Sequence, residues 1–148
     1  MALLGKNKYG NDINHIYREM GVNAWIGKLK DGTVTTIQTL PWNYRPWGCA
    51  SGPNGSCNNG WIQFEICEDA LTDEKYFEQI YEEACELTAY LCDMYNFNPE
   101  GYTNCNEVKV PVILCHADAY DLGLASNHGD IYHWFTKYGK TMDDKCWM

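Results

Sequence analysis

The sequence predicts an α/β fold in which a central mixed β-sheet is flanked by helices. Two short apolar runs separated by Asp31-Gly32 are typical of a β-hairpin. Residues 61–67 alternate apolar and polar side chains as a strand does, and residues 110–115 form a further apolar run. Between these two runs, apolar positions recur with the 3.6-residue period of a helix over residues 76–94. Strands that alternate with a long helix indicate a sheet with helices packed against it.

The length and charge of the chain limit its class. Its 148 residues fit a single domain, residues 1–148, with one core. The formal net charge is −9 and lysine plus arginine number only 11, so we expect no nucleic-acid surface, which needs clustered basic side chains. No segment approaches the ~20 apolar residues of a membrane span, and no signal peptide is apparent. The sequence therefore predicts synthesis in the cytosol.

The chain begins with an irregular arm followed by the hairpin. Residues 1–21 show little periodicity and predict an arm with one helical turn around residues 13–20. The hairpin pairs residues 23–29 with residues 33–39, because an Asp-Gly pair supplies the positive φ values that a tight turn requires.

Residues 40–60 predict a long loop, since they are rich in Pro, Gly, Asn and Ser. Loops of this length in compact domains are usually functional. The loop carries Trp42, Tyr44 and Trp47. Two roles are open for these aromatic rings, which either stack on sugar rings or pack beneath the loop.

The strand predicted over residues 61–67 is expected to be central in the sheet, and Glu65 projects from one of its faces. Glu65 is either a general base or an exposed or ion-paired carboxylate. Thr72 or Asp73 is expected to cap the helix that follows, which ends at residues 96–99. A solvated face of this helix is predicted by its acidic residues. They are Asp73, Glu74, Glu78, Glu82, Glu83 and Glu86.

The eight cysteines are expected to remain thiols, because a domain of this length in a reducing compartment does not need disulfides. Cys49 and Cys57 lie in the Gly-rich loop and are candidate ligands or a local bridge. Four others fall in apolar segments and are predicted to be small core residues, namely Cys67, Cys85, Cys92 and Cys115.

The last third of the chain concentrates side chains that bind metals. Residues 110–143 contain His116, His128 and His133, three of the four histidines. Further polar groups lie among them, namely Asp118, Asp130, Lys140 and Asp143. Imidazole and carboxylate groups suit Zn²⁺, and a catalytic zinc uses about three protein ligands. The strand predicted over residues 110–115 places His116 at its end. The alternative to a metal site is that these histidines are ordinary polar residues, because no H-E-x-x-H or C-x-x-C motif occurs.

Several segments carry a resemblance to a known family. They are LLGKNKYGND, AWIGKLKDGTVTTIQTLPWNYRPWGC, NGSCNNGWIQFEICED, LTDEKYFEQIYEEACELTAYLC and LCHADAYDLGLASNHGDIYHWFTKYGKTMD. These segments cover nearly the whole chain and occur in the same order as in the family. They resemble the zinc-dependent N-acetylmuramoyl-L-alanine amidases of the peptidoglycan-recognition-protein, or type 2 amidase, family. The similarity is greatest to the form found in clostridial genomes and their phages. IQFEICED and the ASNHGD, HWF and YGKTMDD group are the most specific parts.

This resemblance implies roles for individual residues. The family holds zinc with two histidines and a third Cys or Asp ligand, and both His116 and His128 match the second histidine. Asp143 matches the third ligand. Glu65 matches the glutamate that acts as general base, and Lys140 matches the lysine that stabilises the oxyanion. The groove for glycan and peptide would be lined by Trp42, Arg45 and Trp47.

The resemblance also implies an activity, in which zinc-activated water cleaves the amide bond between N-acetylmuramic acid and L-alanine of the stem peptide. Such a peptidoglycan hydrolase, of the phage endolysin kind, acts on the bacterial cell wall after release. The family's first zinc-binding histidine lies on a strand upstream of LLGKN, so we expect an N-terminally truncated chain. An exposed sheet edge is then expected to pair with another chain. The alternative is a catalytically inactive relative that binds muropeptide or a protein partner.

Overall fold

A mixed three-stranded sheet lies at the centre of the described part of the chain, residues 21–144 of a computed structural model. Its strands are β1 (Ala24–Lys28), β2 (Val34–Gln38) and β3 (Phe64–Ile66), in the order β2-β1-β3. β1 is antiparallel to β2 and parallel to β3. With helices packed against it, this sheet confirms the predicted α/β class. The arm predicted over residues 1–21 lies outside the described residues except for its last position.

The β1–β2 hairpin forms as predicted. Gly32 occupies the turn with a φ of 92°, a conformation that side chains with a Cβ adopt rarely. The Asp31 carboxylate accepts a 2.9 Å hydrogen bond from the Thr33 backbone N–H, and the Gly32 N–H donates to the Leu29 carbonyl. Local turn chemistry therefore determines this hairpin, which is why the sequence alone predicts it.

β3 differs from its prediction in length and in position. It is three residues long and, among the described residues, pairs only with β1, so the central position predicted for residues 61–67 is wrong. The chain before β3 is bound by side chains instead. The Asn23 side chain accepts a hydrogen bond from the Gln63 N–H, and the Gln63 side chain accepts one from the Gly48 N–H. These two bonds attach the end of the long loop to the sheet.

The long helix α1 (Glu74–Tyr95) confirms the 3.6-residue pattern. Asp73 is its N-cap, and the carboxylate accepts a 3.1 Å hydrogen bond from the Tyr76 N–H. Asn96 ends the helix in the left-handed conformation, with a φ of 54°. The acidic face is solvated except at Glu83, which is half-buried and accepts a 2.8 Å hydrogen bond from the Thr36 N–H of β2. Helix α1 therefore covers part of the outer edge of β2.

Replacing Asp73 with alanine is expected to lower the free energy of unfolding by about 1 kcal/mol, because the N-cap hydrogen bond to the first turn is lost. Urea denaturation followed by circular dichroism measures this change. The matched control is Glu78→Ala, since Glu78 is exposed in the same helix. Equal losses in both variants would contradict a capping role for Asp73.

The second sheet is a hairpin of β4 (Tyr102–Cys105) and β5 (Val108–Pro111). Its turn residues Asn106 and Glu107 have φ values of 48° and 70°, as a two-residue type I′ turn requires. The strand predicted over residues 110–115 is therefore wrong in its bounds. It begins at Val108 and ends at Pro111, and one further hydrogen bond joins the two segments, from the Val112 N–H to the Gly101 carbonyl.

Three short elements follow the second sheet. They are α2 (His116–Asp121), α3 (Tyr132–Phe135) and a 3-10 turn (Thr136–Tyr138). His116 thus begins a helix instead of ending a strand, because the chain between Pro111 and Cys115 is irregular. None of the helices in residues 21–144 has the length and apolar character needed to cross a bilayer.

Two apolar clusters support these elements. The first joins the three-stranded sheet to α1 and α3, and its buried members are Ala24, Ile26, Tyr76, Phe77, Ile80, Leu87, Leu91, Trp134 and Phe135. The second lies beneath the long loop, and its buried members are Cys49, Cys57, Cys105, Val110, Ala119, Leu124 and Ala125. The cavity described below has lining residues from both clusters.

The cysteines follow their predictions only in part. Cys85 is buried, as expected of a core position, whereas Cys67, Cys92 and Cys115 are half-buried. Cys85 is also disulfide-bonded, so the expectation that every cysteine stays a thiol is wrong at this position. Among the cysteines of residues 21–144, six are free thiols, namely Cys49, Cys57, Cys67, Cys92, Cys105 and Cys115. No bridge therefore joins Cys49 to Cys57 in the long loop. Which thiols approach one another depends on long-range packing, which a sequence pattern does not report.

Candidate active site

A cavity of about 240 Å³ is lined by residues of β3, α1, α2 and α3 together with the long loop. Most of its wall is apolar, but several side chains that can bind a metal or carry a proton are among its lining residues. They include Glu65, Glu68, His116, Asp130 and His133. A concave apolar site with a few polar groups is the usual form of a binding or catalytic pocket.

Asp130 is surrounded by imidazole groups. Its Oδ2 atom lies 3.8 Å from His116 Nδ1 and 3.6 Å from His128 Nδ1. The rings of His116 and His128 are themselves neighbours, with centroids 4.9 Å apart. The two histidines that match the second zinc ligand of the family therefore face the same carboxylate.

Glu68 and His133 approach Asp130 as well. Glu68 Oε1 contacts His133 Nε2, and these two residues and Asp130 each offer one ligand atom, all within 4.8 Å of one another. Within residues 21–144, these three form the group whose ligand atoms are close enough to hold a metal ion. We call Glu68, His116, His128, Asp130 and His133 the Asp130 cluster.

A hydrogen-bonded connection brings the two segments of the Asp130 cluster together. Asp118 in the first turn of α2 accepts a bond from the Cys115 N–H and a 2.9 Å bond from the Tyr132 hydroxyl of α3. The Ala117 N–H donates to the Asp130 carbonyl at 3.2 Å. These bonds position the N-terminus of α2, and therefore His116, beside Asp130.

Glu65 lines the cavity from β3 and is half-buried, so it does not lie on a solvated face. Burial raises the pKa of Glu65 to about 7, and the nearby carboxylates of Asp130 and Glu68 add to this increase. A carboxyl group with a pKa near neutrality can both accept and release a proton at physiological pH. The geometry therefore provides Glu65 with the environment of a general base.

The pKa of His116 is lowered. Burial is the main cause and the neighbouring His128 adds to it, whereas Asp130 acts in the opposite direction. The neutral form of His116 is therefore favoured near neutral pH. Metal binding requires this form, because a protonated imidazole has no free lone pair for the metal.

The raised pKa of Glu65 predicts a pH-dependent stability in metal-free protein. The folded chain holds the Glu65 proton more tightly than the unfolded chain, so the free energy of unfolding should fall as pH rises from about 4.5 to about 7. The expected contribution is about 3 kcal/mol. Urea denaturation of chelator-treated protein at about pH 5 and about pH 8 measures it, and Glu65→Gln should show a smaller difference. An identical pH dependence in both proteins would contradict the prediction.

Lys140 and Asp143 lie in the segment after α3. Lys140 Nζ lies 4.8 Å from the centre of the Tyr81 ring, and Tyr81 lines the cavity. Asp143 is exposed, whereas other residues of the same turn, Thr141, Met142 and Asp144, line the cavity. The assignment of Asp143 as a ligand and of Lys140 as an oxyanion donor stays a prediction.

The aromatic side chains of the long loop divide into two groups. Trp42 packs against the first apolar cluster, whereas Trp47 is 51% exposed and Tyr44 is 59% exposed. Arg45 lies over the Trp47 ring at 4.7 Å, and its Nε donates a 2.7 Å hydrogen bond to Asn59. The packing alternative therefore holds for Trp42, whereas Tyr44 and Trp47 lie at the surface of the loop, where stacking on sugar rings stays a prediction.

Sequence reasoning did not single out Glu68, and it named Asp130 only among the polar groups near the histidines. Glu68 lies two residues after the end of β3, where functional groups often occur, but one acidic residue among 20 is a weak signal. Asp130 lies two residues from His128, and this H-x-D spacing was the available hint. Their proximity depends on the packing of α3 against the sheet.

Comparison with known proteins identifies the family. The family model described as N-acetylmuramoyl-L-alanine amidase matches residues 4–132, which is most of the chain. Neither the curated proteins nor the solved structures include a significant match. The matched region contains Glu65, Glu68, both His116 and His128, and Asp130. The chain therefore belongs to the type 2 N-acetylmuramoyl-L-alanine amidase family.

Proposed function

We propose that this chain is a zinc-dependent peptidoglycan amidase that hydrolyses the bond between the lactyl group of N-acetylmuramic acid and L-alanine. The observation that carries this proposal is that Glu65 lines one cavity together with four members of the Asp130 cluster, namely Glu68, His116, Asp130 and His133. Membership of the amidase family supports amide hydrolysis as the reaction class. We further propose that the protein acts on the bacterial cell wall after release, as phage endolysins do.

The donor atoms of the cavity fit a zinc ion. Glu68, Asp130 and His133 supply two carboxylates and one imidazole, and both groups are among the ligand types that zinc uses in proteins. A cation there also relieves the repulsion among Glu65, Glu68 and Asp130 that contributes to the raised pKa of Glu65. When bound, zinc supplies Lewis-acid polarisation of the scissile carbonyl and lowers the pKa of a water molecule.

A second ligand set competes with this one. The family resemblance assigns zinc to one or both of His116 and His128 together with Asp143. His116 and His128 already lie within 4 Å of Asp130, so both sets share the surroundings of this carboxylate. We propose the set of Glu68, Asp130 and His133, because its ligand atoms are already close together.

The remaining groups of the cavity would move protons and stabilise charge. Glu65 takes a proton from the attacking water and returns it to the leaving nitrogen of alanine, as a carboxyl group with a pKa near 7 can do. Lys140, next to the cavity wall at Tyr81, is the proposed donor to the negative charge that develops on the carbonyl oxygen.

The exposed part of the long loop is the proposed glycan and peptide surface. Trp47 presents an accessible ring, and Arg45 holds a fixed position between this ring and Asn59. Aromatic rings with polar neighbours bind sugars by stacking and hydrogen bonding. Trp42 would serve this surface indirectly, because it anchors the loop to the first apolar cluster.

The replacement Glu65→Gln tests the proposed reaction. We expect the rate of hydrolysis to fall by about 100-fold or more, while the zinc content per chain is unchanged, because the amide cannot accept the proton. Hydrolysis is measured as new amino-terminal alanine released from purified peptidoglycan, and zinc by elemental analysis. The matched control is Glu78→Gln, which makes the same chemical change at an exposed position of α1.

The outcomes distinguish the two functions. A Glu65→Gln protein that is as active as its parent would overturn the role of Glu65. Muropeptide binding by the parent without zinc and without hydrolysis would indicate the inactive relative, which the exposed aromatic surface of the loop also suits. Pairing of chains through a sheet edge stays a prediction, and at β2 this edge is partly covered by Glu83.

A further inference from the structure

Three free thiols are buried together in the second apolar cluster, next to the cavity. Cys49, Cys57 and Cys105 are 6%, 5% and 4% exposed, and all three belong to this cluster. Cys49 and Cys57 come from the long loop, whereas Cys105 is the last residue of β4. Cys49 and Cys57 also line the cavity.

The long loop and the β4–β5 hairpin meet closely at Cys57 and Cys105. Cys105 Sγ lies 3.8 Å from the carbonyl oxygen of Ser56, the residue before Cys57. A Cβ atom added to Gly55 would lie 1.7 Å from the side-chain nitrogen of Asn106, so the Asn106 side chain of the hairpin packs directly against the loop at Gly55. The packing therefore brings the Cys105 thiol against the loop backbone next to Cys57, within one buried cluster.

The third thiol is engaged by other groups. Cys49 Sγ lies 3.2 Å from Asn58 Oδ1 and 3.3 Å from Gln63 Nε2. Burial raises the pKa of the Cys57 thiol to about 12, and the adjacent Cys105 thiol contributes more to this increase than Cys49 does. Of its two neighbours, Cys105 is therefore the partner that interacts more strongly with Cys57.

We propose that Cys57 and Cys105 are a thiol–disulfide modification site, at which oxidation links the long loop covalently to β4. The oxidant is a low-molecular-weight disulfide. The Cys57 thiolate attacks one sulfur of this molecule and displaces one small thiol, leaving a mixed disulfide. The Cys105 thiolate then attacks Cys57 Sγ and displaces the second small thiol. The two cysteines lose two electrons and two protons in total, and the small disulfide is reduced to two thiols.

This bond would act on the cavity wall. It closes a long segment that includes β3 and α1, and closing a long loop restricts the unfolded chain most strongly. In the folded protein it fixes the Cys57 side of the cavity to the second sheet. The proposal is independent of zinc and of the amidase reaction, because neither cysteine belongs to the Asp130 cluster.

The test uses the full-length protein and glutathione disulfide at about pH 8, added both to the folded protein and during refolding from urea. The refolding arm is needed because burial keeps the Cys57 thiol protonated in the folded state. Remaining thiols are blocked with N-ethylmaleimide, and peptides are mapped by mass spectrometry. We expect a Cys57–Cys105 linked peptide and a rise of about 5 °C in the unfolding midpoint.

Two variants complete the test. Cys49→Ser should retain both the linked peptide and the rise in the unfolding midpoint. Cys57→Ser should lose both the linked peptide and the rise in the unfolding midpoint. Its reduced form should still be folded and should therefore unfold in one cooperative transition. Linkage of Cys57 to Cys49 in the parent, or no linkage in either arm, would overturn the proposal. Circular dichroism of each reduced variant establishes that it is folded.

Discussion

Replacing Asp130 with alanine is expected to lower zinc affinity by more than about 100-fold and to abolish detectable peptidoglycan hydrolysis. Asp130 belongs to the group whose ligand atoms lie within 4.8 Å of one another, and it also faces His116 and His128 at 3.8 and 3.6 Å. Removing its carboxylate therefore weakens either ligand set.

Zinc binding by the Asp130→Ala protein is measured by calorimetry and by elemental analysis after dialysis. The matched control is Asp121→Ala, because Asp121 is exposed on the neighbouring helix α2. Circular dichroism establishes that the variant is folded. One zinc ion per chain, bound as tightly as in the parent, would contradict the placement of the metal beside Asp130.

Further variants distinguish the two ligand sets. If Glu68, Asp130 and His133 hold the metal, His133→Ala should lose zinc and Asp143→Ala should retain it. If the set implied by the family resemblance holds it, Asp143→Ala and at least one of His116→Ala and His128→Ala should lose zinc, and His133→Ala should retain it. The experiment therefore assigns the ligands whichever result is obtained.

Replacing Phe77 with alanine is expected to lower the free energy of unfolding by about 3–5 kcal/mol. Phe77 is 3% exposed and lies at the centre of the first apolar cluster. Its ring centre is 4.2 Å from that of Tyr138, 5.3 Å from that of Phe135 and 5.6 Å from that of Trp134. Truncation leaves a cavity among these rings and removes the surface that holds α3 against α1.

Urea denaturation measures the loss, and Phe97→Ala is the matched control, since Phe97 is 47% exposed. The control should lose less than about 1 kcal/mol. A second consequence concerns the metal, because His133 precedes Trp134 and Phe135 in α3. Phe77→Ala should therefore also weaken zinc binding. Equal losses of stability in Phe77→Ala and Phe97→Ala would contradict the central position of Phe77 in the cluster.

Local sequence patterns were sufficient for the β1–β2 hairpin and for α1. The turn at Asp31-Gly32 and the cap at Asp73 each depend on hydrogen bonds between residues at most three positions apart. The β4–β5 hairpin also has a short turn, yet it was not predicted, because Asn106 and Glu107 adopt positive φ without a glycine. Pattern-based prediction fails where an ordinary residue takes a conformation that glycine usually supplies.

The sequence by itself determined the α/β class, the hairpin, the long helix and the family, because each depends on patterns along the chain. Only the tertiary structure decided that β3 pairs with β1, that Glu68 and Asp130 lie close to His133, and that Cys57 and Cys105 are buried in one apolar cluster. It also decided that the pKa of Glu65 is about 7. These features depend on contacts between distant segments, and the free energies of such contacts are set by burial and neighbouring charge instead of by local propensity.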